Sequence, residues 1–208
     1  MFRLAQLFAL ACMLVWSLEA AAQGSYAAAG RQKFREKKYD EAVELFRKHL
    51  RRAPRDYNTW NQLGAAYYHT GQPRKALRYL KQVERITTEK SYNYYYQGLC
   101  YTASDQPDKA REYFHFIAAR FIDEYGSRAT FEMASIEYNA RNARRAQYWA
   151  QFYIQRYPTG VYRAQAQRML QFLAQNDFSQ KFDGVEKPDV EGALFRYSKL
   201  SLSPSPHY

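Results

Sequence analysis

The chain has 208 residues, of which 47% are apolar and 17% aromatic, and a formal net charge of +11. This length suffices for a buried core in one or two domains, and the excess of positive charge attracts polyanions without deciding the fold. Its two cysteines exclude a disulfide framework and a Cys-rich metal site, while only nine glycines and seven prolines favour a mostly helical chain.

Residues 1–22 have the layout of a secretory signal peptide. One cation, Arg3, precedes an apolar stretch from Leu4 to Leu18, and three alanines ending at Ala22 close the segment. The apolar stretch is shorter than the roughly 20 residues of a membrane span. We therefore expect cleavage after about Ala22, a periplasmic or secreted mature protein, and no membrane span after cleavage.

A period of 34 residues runs through the middle of the chain. An aromatic residue, a glycine four residues later, an alanine twelve residues after the glycine and a large apolar residue four residues after that alanine recur together. The three sets are Tyr26, Gly30, Ala42 and Phe46; Trp60, Gly64, Ala76 and Leu80; and Tyr94, Gly98, Ala110 and Phe114. A fourth unit follows at a spacing of 36, with Ala134, Ala146 and Ala150 in the corresponding positions.

These residues resemble the tetratricopeptide repeat family, whose pattern is W-x₂-L-G-x₂-Y followed by Ala and a large residue. The second unit matches best, from Trp60, Leu63, Gly64 and Tyr67 on. The resemblance implies an all-α helical-repeat solenoid of about four helix pairs and a capping helix, within residues 23–176. The expected units are residues 23–56, 57–90, 91–124 and 127–159, with the capping helix at 161–176.

The physical basis of the pattern does not depend on the family name. A small residue at a helix crossing lets two axes approach to about 8–10 Å. One helix pair cannot bury its own apolar stripe, so successive pairs stack and share a core. Asp56 and Asp105 stand before predicted helices and are expected to act as N-caps.

Residues 177–208 lose the helical period and are expected to be an extended or disordered basic tail. Apolar residues from Leu194 to Tyr197 would allow this tail to dock onto another surface. Two alternatives stay open at this point: the tail occupies the binding groove of its own chain or of a neighbouring subunit, or it is free.

The sequence favours no enzymatic activity, no cofactor and no metal site. Four histidines are scattered, and the usual nucleophile, phosphate-binding and dinucleotide-binding motifs do not occur. His115 lies between two phenylalanines and is expected to be packed. Cys100, between Leu99 and Tyr101, is expected to be a small buried hydrophobe.

In the tetratricopeptide family the first helix of each unit lines a concave groove that holds a partner segment. Applied to this sequence, the resemblance implies a groove lined by Arg31, Phe34, Arg35, Asn58, Asn61, Tyr68, Tyr92, Tyr95, Phe131 and Tyr138. Tyr supplies a large contact area at low entropic cost, which suits a binding surface. For Tyr92 and Tyr95 the alternative is that they pack between repeats.

The first repeat is strongly basic, with ten Lys and Arg against four Asp and Glu between residues 31 and 55. One interpretation is a solvated helix face; the other is a basic patch for an anionic envelope surface. The residues of that patch would be Lys37, Lys38, Lys48, Arg51 and Arg52.

Two functional hypotheses follow. The first is an exported scaffold or adaptor that binds a protein or peptide partner in the aromatic groove and aids assembly of an envelope complex. The alternative is a module that binds a polyanion or a membrane surface through its basic first repeat. Because the protein is expected to be exported, nucleic acid is not an expected partner.

Overall fold

The structure is a computed structural model, which describes residues 26–86 and 91–175. Within these ranges the chain forms helices joined by turns, with no strand. The first described residues, 26–35, are helical and are called α1. The helices that follow are α2 Tyr39–Arg52, α3 Tyr57–His69, α4 Pro73–Glu84, α5 Ser91–Ala103, α6 Pro107–Arg120, α7 Glu124–Asn139, α8 Ala143–Arg156 and α9 Arg163–Gln175.

Each of the four predicted units corresponds to one pair of these helices, although α7 begins at Glu124, three residues before the predicted start of the fourth unit. Helix α9 lies in the segment predicted to cap the array. Residues 1–22 and 177–208, predicted to be a signal peptide and a tail, lie outside the described residues. None of the helices described between residues 26–86 and 91–175 has both the length and the apolarity of a membrane span.

The helices form two compact units, one reaching to Val83 and the other beginning at Glu84. In the first unit, α2 packs on α3. In the second unit each helix from α5 to α9 packs on the next, and α5 also touches α7. Sequential packing of helix pairs is the arrangement of helical-repeat proteins, so the predicted all-α helical-repeat solenoid class is confirmed.

The periodic glycines occupy equivalent environments. Each lies against the large side chain sixteen residues later, and that side chain is fully buried in every case. The pairs are Gly30 with Phe46, Gly64 with Leu80 and Gly98 with Phe114. A Cβ atom built on these glycines would lie 2.6, 2.7 and 2.5 Å, in that order, from the nearest carbon of the facing side chain. The prediction that small residues let paired helices nest is confirmed.

The turns between the paired helices repeat the same backbone geometry. A residue of positive φ lies two positions after the first helix of each pair. These residues are Lys37, Gly71, Asp105 and Arg141. The next amide donates to the carbonyl five residues earlier, as in Gln72 to Tyr67 at 2.9 Å and Asn142 to Glu137 at 2.8 Å. This is the Schellman motif, which satisfies the carbonyl groups left without partners at a helix end.

The two predicted N-caps have different outcomes. Asp56 caps α3, because its Oδ1 accepts from the Thr59 amide at 3.1 Å. Asp105 does not cap α6: it has φ 54° and occupies the left-handed position of a Schellman turn, which Asp tolerates. The residue directly before α6 is Gln106, whose side chain makes no capping hydrogen bond. A cap that the sequence analysis missed is Asp123, which accepts from the Gly126 amide at 2.8 Å.

Candidate functional site

In the second compact unit, α5 and α7 are the first helices of consecutive repeats and touch each other, and α9 follows in the same order. Aromatic side chains line the side that these helices share. We call this surface the first-helix face. Its residues are Tyr92, Tyr125, Arg128, Phe131, Glu132, Tyr138, Tyr162 and Phe172.

Ring contacts join one helix to the next along this face. Tyr92 of α5 meets Tyr125 of α7 edge-on, with ring centroids 5.2 Å apart. Phe131 of α7 stacks on Tyr162, just before α9, at 4.7 Å and an interplanar angle of 6°. Nearer the helix ends, Tyr138 meets Phe172 at 5.9 Å. Such pairs stabilise the packing beyond the area they bury, so the rings form a pre-ordered surface.

The predicted groove residues of this unit differ in exposure. Tyr92, Phe131 and Tyr138 are half-buried, so part of each ring faces solvent. Tyr95 is only 5% exposed and packs against the rings of Phe114 and Tyr125. Its place in the binding surface is therefore corrected: of the two alternatives for Tyr95, the structure shows packing between helices.

Charge on this face is largely compensated. Arg128 donates from Nη2 and Nε to the same oxygen of Glu124, at 2.6 and 3.0 Å. Burial raises the pKa of the Glu132 carboxyl above its ordinary value, against the opposing effects of the Tyr95 hydroxyl and Arg128. The face is therefore suited to apolar and aromatic contacts rather than to recognition by net charge.

In the first compact unit the predicted groove residues are distributed differently. Phe34 lies against Tyr39 at 5.3 Å and His69 at 5.5 Å, and Tyr68 touches the same histidine at 5.2 Å. The structure therefore brings Phe34 and Tyr68 to one cluster around His69. The remaining predicted residues are the exposed Arg31, Arg35 and Asn58 and the half-buried Asn61.

The five cations of the predicted basic patch are spread along the length of α2. Lys37 and Lys38 precede α2, whereas Arg51 and Arg52 lie in its last turn. At 1.5 Å per residue, the two groups are about 20 Å apart along the helix. Lys38 is paired with Glu36 at 3.1 Å, and Arg52 lies over the Tyr26 ring at 5.1 Å. Lys48 lies within α2 close to the second group, so the predicted patch would extend along the helix, and it stays a prediction.

Residues considered for chemistry are placed as packing residues. Burial raises the pKa of the Cys100 thiol to about 12, which disfavours the nucleophilic thiolate. His115 is 7% exposed and meets Trp149 edge-on at 5.5 Å. In the described part of the chain, no group of three or more His, Cys, Asp or Glu side chains is placed to hold a metal ion.

A cavity of about 430 Å³ opens at the ends of α7 and α9. We call it the end cavity. It is lined by Tyr138, Asn139, Arg141, Ala143, Phe172 and Leu173. Neither Phe172 nor the cavity was predicted from the sequence, which indicated only a capping helix at residues 161–176.

Comparison with known proteins supports the same fold. The family model described as the TT21 fifth ARM repeats domain matches residues 31–138. A solved structure described as "Crystal structure of MamA protein" has a TM-score of 0.59 at 19% identity, covering 86% of this chain and 90% of that one. Another, "MamA AMB-1 P212121", has a TM-score of 0.60 at 16% identity and covers 89% and 95%. At these identities the likeness shows a shared fold. No curated protein matches.

Proposed function

This chain belongs to the family of the TT21 fifth ARM repeats domain, and from that helical-repeat membership we propose that it is a non-enzymatic protein-interaction scaffold. It binds a segment of a partner protein along the first-helix face. Helical repeats present extended surfaces of this kind, built from the same helix of each successive unit.

The observation that carries this proposal is the row of half-buried rings on consecutive first helices. Tyr92, Phe131 and Tyr138 are each held by a ring of a neighbouring segment, and each keeps part of its surface in solvent. Rings that are already ordered lose little conformational entropy when a partner binds. Aromatic anchors of this type carry much of the energy of protein interfaces.

Two finer features belong to the same proposal. The repeats are of the tetratricopeptide type, supported by the two-helix unit of 34 residues and the recurring contact between glycine and a large side chain. The protein is exported by its first 22 residues and acts in the cell envelope, where it aids assembly of a complex. The support for export is the signal-like sequence.

The test is crosslinking in cells, followed by recovery of the captured partner with wild-type and variant chains. Replacing both Tyr92 and Phe131 by Ala is expected to lower recovery at least tenfold, because loss of interface anchors costs more than about 1.4 kcal/mol. The control replaces Tyr148 and Phe152 by Ala. These rings are also half-buried and lie 6.1 Å apart, but on the second helix α8.

Circular dichroism on both double variants verifies that the helices persist. Selective loss of the partner in the Tyr92→Ala, Phe131→Ala chain supports the first-helix face. Equal recovery in both double variants, or a selective loss in the α8 control, overturns the assignment of binding to that face.

A further inference from the structure

We propose that the end cavity is a docking site for residues 177–191 of the same chain, with the Phe178 ring entering the cavity. The end cavity shares Tyr138 and Phe172 with the first-helix face, but the docking contact does not depend on binding of a partner. It would close the last repeat of the array with a segment that is not itself a repeat.

The end cavity has the size and lining for an aromatic side chain. Apolar cavities of about 150 Å³ hold a benzene ring, so a volume of about 430 Å³ holds one ring and its neighbouring side chain. Phe172 on its wall is 44% exposed, whereas Leu173 beside it is 9% exposed. An exposed ring next to a buried leucine, in a concave site, marks a surface suited to a further apolar group.

The chain itself continues from the edge of this cavity. Leu173 lines it, and α9 ends two residues later at Gln175. Phe178 follows three residues further on, and an extended chain spans about 10 Å over three residues. A segment tethered so closely has an effective local concentration in the millimolar range.

Charge complementarity favours this occupant. Arg141 lines the cavity, and Arg144 and Arg145 lie in the first turn of α8, which begins at Ala143 on the cavity wall. Residues 177–191 have five Asp and Glu against two Lys. The whole segment 177–208 has five acidic residues and four Lys and Arg, so the description of a basic tail is corrected. An acidic segment beside an arginine-rich surface gains attraction that a basic one would not.

Disulfide trapping tests the contact in the full chain. Ala143→Cys on the cavity wall is combined with Phe178→Cys in a Cys12→Ser background; the buried Cys100 stays in place because its raised pKa, about 12, keeps it unreactive. The control pair combines Phe178→Cys with Gln151→Cys, an exposed position on α8. Docking brings the first pair within bonding distance, so its intramolecular disulfide is expected to form at least about tenfold faster.

Equal rates for the two pairs, or disulfides between chains only, would overturn the proposal; the second result would assign the cavity to another copy of the chain. An independent measurement is hydrogen exchange at residues 169–175. Phe178→Ala is expected to raise exchange there several-fold, while Phe195→Ala, further along the segment, leaves it unchanged. An equal response to both variants would also contradict docking through Phe178.

Discussion

At the scale of single residues, the absence of one Cβ atom decides how closely two helices pack. Gly98 faces the Phe114 ring so closely that an added Cβ would lie 2.5 Å from a ring carbon. The ring is fully buried, so it can withdraw only by displacing its packed neighbours. The fourth repeat has Ala134 and Ala150 in the corresponding positions, both fully buried. A larger residue on the first helix is thus accompanied by a smaller one on the second.

The prediction at this scale is that Gly98→Ala destabilises the protein by about 1–3 kcal/mol, the usual cost of overpacking a core. Without the contact the same change would stabilise the helix by up to about 1 kcal/mol, since Ala is the better helix former. Denaturant titration measures the change in the free energy of unfolding. A decrease shows that the contact with Phe114 limits the residue at position 98, and an increase shows that it does not.

A double-mutant cycle with Phe114→Ala supplies the control. The cost of Phe114→Ala is expected to be smaller when Gly98→Ala is already present, because the added methyl group occupies part of the space left by the ring. Additive effects would mean that Gly98 and Phe114 do not constrain each other.

At the scale of the element, repeated caps and turns set the length of each helix. The Schellman turns recur with the sequence period, and the residue of positive φ is Gly only at Gly71. Asp56 begins α3 and links it to α2, because its Oδ2 lies 2.8 Å from the Thr59 hydroxyl and 2.8 Å from His49 Nε2. Burial of the carboxyl opposes ionisation, but the hydrogen bonds from Thr59 and His49 outweigh it and lower the pKa of Asp56 below its ordinary value.

We predict that Asp56→Ala costs about 1–2 kcal/mol of stability at neutral pH, the range for loss of a helix cap. Because the folded-state pKa is lowered, the stabilisation is present above the unfolded pKa and is lost as pH falls through the folded pKa. The difference between wild type and variant should therefore shrink below about pH 3.8. Thermal unfolding from pH 3 to pH 7 measures it.

The matched control is Asp105→Asn, at the aspartate that does not cap. Asn tolerates positive φ as well as Asp does, so stability should change by less than about 0.5 kcal/mol. If this change cost as much as Asp56→Ala, or if the Asp56→Ala effect persisted unchanged at pH 3, the assigned role of Asp56 would be contradicted.

At the scale of the whole molecule, the described helices account for the middle of the chain, and the sequence before them has the pattern of an export signal. Residues 1–22 supply one cation, an apolar stretch and small residues at the expected cleavage site. The repeats that follow would then form the functional part of the mature protein.

The prediction is that the mature chain begins at Gln23 and is recovered from the periplasm or the medium. Mass spectrometry of the intact protein and of its N-terminal peptide measures the cleavage position. Replacing Ala20 and Ala22 by Gln should block cleavage and leave the precursor in the cell. Recovery of the wild-type protein from the cytoplasm, with residues 1–22 still attached, would refute export.

The fold class was predictable because the repeat is a local pattern that recurs. Glycine, alanine and a large residue at constant intervals report helix packing within one unit, and the spacing needs no knowledge of distant contacts. The Asp56 cap was predictable for the same reason. The turn position of Asp105 was not predictable. A single Asp is compatible with both an N-cap and a left-handed turn position, and only the backbone geometry distinguishes them.

The binding surface was predictable only in part. The amino-acid sequence by itself determined that the chain is built of paired helices with aromatic first helices, because side-chain periodicity follows directly from helix geometry. Only the tertiary structure decided that Tyr95 is buried while Phe131 keeps an exposed edge. It also decided that Phe172 lines a cavity. Exposure depends on which neighbouring helix covers a side chain, and that neighbour lies some thirty residues away in the sequence, as Phe131 and Tyr162 show.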